Sequence, residues 1–219
     1  VSLPTKRKYL GKKMQTENVV IKAPEFRSAI FTIIGTSPYV QLRFSEKARN
    51  TMRENMTLTQ KAKKGKTREP RNFASEFEGA MYISSDGWRG IPAPAFRNGM
   101  ISACRIVNFK MTLAKLSIFV EADGYDAIDG TPLVKITGEP MSYESLVRNA
   151  TGVADIRTRA MWREWSANVT VRWDADQFNV NDVTNLLARV GAQVGVGEGR
   201  PDSKSSAGLG FGLFKLKEN

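Results

Sequence analysis

Residues 158–173 set the strongest limit on the fold. Trp165, Ala167, Val169, Val171 and Trp173 alternate with Glu164, Ser166, Asn168, Thr170 and Arg172. A period of two with one apolar side reads as a half-buried strand, the habit of antiparallel sheets. Something must cover the apolar side, and two segments have the helical period to do it. In 94–107, Phe96, Met100, Ala103, Cys104 and Val107 form one stripe behind prolines that suit a first helical turn. In 181–190, Val183, Leu186, Leu187 and Val190 do the same, with Gly191 as the expected stop. Cys104 then reads as a small core residue.

The remaining apolar runs are short and extended. Ala29–Ile34 reads as a first core strand, rich in β-branched and aromatic residues, and Gly35–Pro38 as a turn or bulge. A second extended piece follows, with Gln41 and Arg43 expected to face water. Residues 73–90 read as another alternating piece ending in the turn signal Asp86-Gly87. Strands are expected at 116–120, 133–137 and 211–216. Without the interruption at 45–72, the order is strand, helix, strand, strand, helix, strand. This predicts an α+β domain with a ferredoxin-like (RRM-type) βαββαβ core, both helices on one face of a four-stranded sheet and the other face free.

The charge is distributed unevenly. Of the 219 residues, 33 are Lys or Arg and 22 Asp or Glu, for a net +11; residues 1–72 hold 17 of the bases and 5 of the acids. Residues 1–27 read as a basic N-terminal arm, ending in a short strand at Val19–Ile21, and 28–219 as a single domain. Residues 45–72 read as a basic insertion. Within it Ser45 would cap a helix running to about Gln60, and Lys61, Lys63, Lys64, Lys66, Arg68 and Arg71 would follow as a basic loop. A segregated positive charge suits a polyanion, because neutralising phosphates releases counterions; a merely solvated charge block is the bland alternative.

Composition also excludes chemistry. The chain has no histidine, which removes His-dependent triads and the commonest general base and metal ligand. Its single cysteine cannot form an internal disulfide or build a Cys-based zinc site alone. No cofactor and no metal site is expected, and binding is favoured over catalysis. Glu76, Glu78 and Asp86 are candidates for metal-dependent cleavage but have ordinary surface spacing. No run of 18 apolar residues and no signal-peptide pattern occurs, so the expectation is a cytoplasmic protein without a membrane partner.

Six glycines (Gly195, Gly197, Gly199, Gly208, Gly210 and Gly212) crowd eighteen residues between the second helix and the last strand, with Arg200 and Lys204 among them. Glycine serves where backbone needs positive φ or close approach, so this is either a flexible loop or a phosphate-contacting one. Arg157, Arg159, Met161, Trp162 and Arg163 interleave cations with aromatics, a mixture that stacks bases and holds phosphates. Trp162 reads equally well as core.

Three features resemble the RAMP superfamily of RNA-binding proteins, which includes the guide-RNA-coating backbone subunits of CRISPR effector complexes. They are the Gly35-Thr-Ser-Pro38 break, Ile91-Pro92 leading into a helix with Phe96-Arg97 and later Arg105, and the glycine-rich loop 195–212. The segment GTSPYVQLRFSEKARNTM is also similar to the start of a family of bacteriophage proteins. The resemblance implies an RNP-type fold, a glycine loop on the backbone of a single strand, and an inserted basic segment that wraps the strand or a neighbouring subunit. RAMP nucleases commonly use a histidine, which is absent here. The expected function is sequence-tolerant binding of single-stranded nucleic acid, RNA or DNA, with the protein multimerising along the strand. Phosphates would meet Arg43, the basic insertion, Arg97, Arg105, Arg157, Arg159, Arg163, Arg200 and Lys204; bases would stack on Tyr39, Trp88 or Trp162. The alternative is a phage assembly subunit with a protein partner, imitating or joining a CRISPR complex.

Overall fold

The computed structural model describes residues 22–44, 49–50, 52–53, 56, 71–148, 152, 154–203 and 208–218. In chain order the strands are β1 (Phe26–Gly35), β2 (Tyr39–Gln41), β3 (Tyr82–Ile83), β4 (Arg89–Pro92), β5 (Ile118–Val120), β6 (Gly124–Tyr125), β7 (Pro132–Thr137), β8 (Pro140–Arg148), β9 (Ala154–Trp162), β10 (Ser166–Asp174) and β11 (Phe214–Leu216). The helices are α1 (Phe73–Gly79) after β2, α2 (Ala93–Ala103) after β4, α3 (Met111–Ser117) before β5, and α4 (Val180–Arg189) after β10. The protein is α+β, and every pairing among the described strands is antiparallel.

The main sheet runs β11-β1-β10-β7-β4-β3, with β5 also on β10 and β6 on β7; a smaller sheet runs β2-β9-β8. β10 is the centre of the main sheet, and its sequence alternation explains why. Ala167, Val169, Val171 and Trp173 are buried against α2 and α4, while Asn168 and Arg172 are exposed. Phe96 and Met100 of α2 and Val183 and Leu187 of α4 close the core over that side, together with Ile33 and Phe214. α4 starts at a capping box: Asn179 accepts from the Asp182 amide, and the Asp182 carboxylate accepts from the Asn179 amide.

Several local expectations are corrected. Gly191 does not stop α4. The chain continues through a π-helical turn, Val190–Val194, and turns at Gly195 with φ +72°. Gly191 is instead pressed against Phe214, where a Cβ would lie 2.1 Å from the carbonyl oxygen. Residues 73–79 form a helix, capped by Asn72, rather than an extended piece. The first part of 116–120 belongs to α3, and Val107 is exposed.

The second extended piece has the opposite parity: Gln41 and Arg43 are buried, and Leu42 and Phe44 are exposed. The cause is β9, which pairs with β2 and turns those polar side chains inward. Gln41 Nε2 donates to Tyr39 Oη at 2.8 Å and to Gly90 O at 2.9 Å, and its Oε1 accepts from the Tyr82 amide. The four expected core strands are joined by seven others, so the sheet is larger than anticipated and a second one exists.

Ser45, residues 57–70 and the Val19–Ile21 segment lie outside the described residues; within the insertion, 49, 50, 52, 53 and 56 are helical. Among the described residues no helix is long and apolar enough to cross a membrane.

Candidate nucleic-acid interface

The β8–β9 hairpin stands beside the glycine-rich loop, and the two enclose an open cleft of about 1040 Å³ whose third wall is the outer side of α2. Strand register decides what faces it. Tyr143 lies opposite Arg159 and Ser145 opposite Arg157, so these four side chains share the cleft side of the hairpin. Arg200, Leu209 and Phe211 come from the loop, and Asn98 and Ser102 from α2.

Two contacts tie the hairpin to the loop. Tyr143 meets Phe211 edge-on, with ring centroids 6.0 Å apart. Arg159, buried at the base, donates to Ser145 Oγ, to the Arg157 carbonyl and to the Glu198 carboxylate. Arg157 is exposed, its guanidinium 3.9 Å from Asp155. Arg200 is half-buried and donates to Gly197 O at 3.0 Å. At the mouth Arg105 pairs with Asp202 at 2.7 Å. Burial works against ionisation of Asp202, yet the Ser102 hydrogen bond and the Arg105 guanidinium hold its carboxyl below the ordinary value. Glu198 and Asp202 thus share the cleft with the arginines.

All six glycines expected to need positive φ have it, between 68° and 80°. Among its described residues, however, seven amides of the loop are already engaged within the protein. The N–H groups of Gly195, Val196, Glu198, Asp202, Leu209, Phe211 and Gly212 all donate to carbonyls of the protein itself. Its glycines build a folded wall, and Gly195, Gly197 and Gly199 line the cleft with backbone beside the side chains of Arg200, Leu209 and Phe211.

The other sequence candidates are placed elsewhere. Arg43 is buried, donating to Asp126 at 2.6 Å beneath Tyr82. Arg97 donates to the carbonyls of Ile118 and Lys115, so it caps the end of α3. Tyr39 and Trp162 pack on each other in the core, with centroids 5.5 Å apart, and burial pushes the Tyr39 phenol far up. Trp88 is half-buried against Gly90 and Gly124. Arg163 is exposed in the β9–β10 turn. Lys61, Lys63, Lys64, Lys66, Arg68 and Lys204 lie outside the described residues; Arg71 is engaged with Glu76 and Asp155. Among the described residues, no group of His, Cys, Asp or Glu is placed to hold a metal.

Sequence reasoning missed Tyr143, Phe211 and Glu198. The alternation of Met141 and Tyr143 was the available signal for a strand, and Phe211 stood in plain view between two glycines. No protein-family model matches the chain, and no curated protein matches it. The functional reading therefore rests on the chemistry of the cleft.

Proposed function

We propose that this protein binds single-stranded nucleic acid in the cleft between the β8–β9 hairpin and the glycine-rich loop, without strong sequence preference and without catalysing a reaction. One observation carries the reading. Arg157 and Arg159 from β9 and Arg200 from a loop forty residues on converge on one open cleft beside Tyr143 and Phe211. Cations hold a phosphate backbone at no cost in sequence generality, and aromatic faces accept any base. The carboxylates moderate the attraction and disfavour deep insertion of phosphate, so the exposed Arg157 and the half-buried Arg200, rather than the buried Arg159, are the phosphate contacts.

In this reading the core is an elaborated ferredoxin-like unit of RAMP type, made of β1, α2, β7, β10, α4 and β11. The sheet order β11-β1-β10-β7, with both helices on one face, supports it. Multimerisation along the strand belongs to the same proposal.

The test is binding to matched single-stranded RNA, single-stranded DNA and duplex DNA at two salt concentrations, with the mass of each complex. Tight, salt-sensitive binding of single strands by several protomers is expected. Changing both Arg157 and Arg200 to Ala should flatten the salt slope by about 1.4, at roughly 0.7 per phosphate on a single strand. Single strands left unbound at physiological salt, or an unchanged slope, overturn the reading. The weight would then pass to a protein partner. Leu146 and Ile156, opposite each other on the hairpin and 72% and 43% exposed, are the observation favouring that second reading.

A further inference from the structure

The edge of β1 that faces away from β10 is covered over only part of its length. β11 pairs with Ile33–Gly35, and the Lys217 amide donates to Thr32 O at 2.8 Å; among the described residues no strand lies beside Phe26–Phe31 on that edge. Backbone direction alternates along a strand, and two bonds fix which residues point outward. Gly35 N–H donates to Trp165 O on the β10 side, whereas Thr32 O accepts on the β11 side. Phe26, Ser28 and Ile30, in phase with Thr32, therefore turn their N–H and C=O groups to the open edge. Their side chains lie on the sheet face opposite the core residue Ile33, where Ile30 is 69% and Phe26 39% exposed. An open edge is a template for another strand, which native proteins commonly blunt with charge, proline or a bulge. Here the one charged side chain between Phe26 and Phe31 is Arg27, paired with Glu25 at 2.7 Å.

We infer that this edge pairs with the same edge of a second copy of the chain, antiparallel and about a two-fold axis at Ser28. A two-fold contact must be self-complementary, and this stretch is. Ser28 meets its own copy, and Phe26 meets Ile30, an aromatic beside a β-branched side chain on one face. All of these are outward-pointing residues, so each pair exchanges both of its backbone hydrogen bonds. Both ends of the pairing are set by the chain. The next pair is Thr32 with Pro24, where Thr32 O is already taken by Lys217 and proline has no N–H to give. Other registers fail: an axis at Ala29 puts Phe26 against the blocked Thr32, and one at Arg27 sets two arginines against each other. So short a contact buries less than the roughly 800 Å² per partner of a standard interface, so the dissociation constant is on the order of tens of micromolar. None of these residues lines the cleft, and the contact forms whether or not the cleft binds a strand.

The experiment is sedimentation equilibrium of the full chain without nucleic acid from about 1 to about 200 µM, with hydrogen exchange read at both ends of that range. A mass rising from one chain to two is expected, with the Ser28 and Ile30 amides slowing as the dimer forms. Ile30→Lys, at an exposed position, should weaken association about tenfold or more and leave the melting temperature at low concentration unchanged. Ser28→Cys should give a covalent dimer in oxidised glutathione, because directly opposite hydrogen-bonded residues have Cα atoms about 5.5 Å apart, within disulfide reach. Thr32→Cys, away from the axis, should not, and the native Cys104 is buried. A single chain at every concentration overturns the inference, as does a dimer that survives Ile30→Lys. Slow exchange at Ser28 and Ile30 that ignores concentration means the edge is covered within one chain, and also overturns it. Cross-linking of Thr32→Cys as readily as of Ser28→Cys overturns the register and the axis with it.

Discussion

Gly210 and Gly212 are two residues apart in one loop and have nearly the same φ, +74° and +71°, yet they should answer substitution differently. A Cβ at Gly212 would lie 1.7 Å from the Val196 carbonyl oxygen, so Gly212→Ala must displace backbone. Nothing lies within 4 Å of a Cβ at Gly210. Denaturant titration should show a loss of about 2–4 kcal/mol for the first and about 1 kcal/mol, the left-handed penalty alone, for the second. Arg43→Met should cost about 3 kcal/mol by stranding the buried Asp126 carboxylate.

Near Asp126, the Thr131 hydroxyl and amide, followed by Arg49, hold the Asp129 carboxyl at about 2, below its ordinary 3.8. A depressed carboxyl stabilises the fold above its unfolded value and loses that contribution as pH falls through the folded one. Melting temperature should therefore drop between about pH 4 and pH 2, and Asp129→Asn should remove part of the drop. At this scale the sequence was least legible. Arg43, Arg159, Tyr39 and Trp162 have the residue types of a nucleic-acid site, but their burial is set by β9 pairing with β2, a contact between segments 120 residues apart that composition does not carry.

The hairpin is the element on which the cleft depends. Arg71 fastens it from outside: Nε donates to Glu76 at 2.7 Å, and Nη1 donates to Asp155 at 2.9 Å and to the Ile156 carbonyl at 2.6 Å. Arg71→Ala should cost about 1–2 kcal/mol. Hydrogen exchange should quicken in the first half of β9 and stay unchanged in β10; equal acceleration in both strands would count against a local clasp. β10, α2 and α4 were readable from sequence because each buries one regular stripe. β8 was not, since its Met141 and Tyr143 alternation breaks at Ser145-Leu146, where the projecting hairpin is open on both sides. α1 has only seven residues, too few for a period to declare itself. The π-helical turn after α4 was hidden for another reason: it adds one residue per turn without altering the kinds of residue present. Gly195 N–H reaches back to Val190 O at 2.7 Å, and that extra residue sets the direction in which the glycine loop leaves the helix.

With no histidine in the chain, no side chain has an ordinary pKa between about 5 and 8, and the Cys104 thiol is pushed up by burial. Thermal stability should therefore be flat from about pH 5.5 to 8, and a titration step in that window would reveal a strongly perturbed group. The sheet order has a consequence in time. β1 finds its two neighbours in β10 and β11, the last strands described and made well after it, with Phe26 paired to Asp174 and Ile33 to Leu216. On a ribosome the apolar residues of β1 emerge long before either partner exists, and no local hairpin can shelter them. The sheet closes only after β11 has been released, so this step is late, slow and exposed to chaperones or aggregation in the interval.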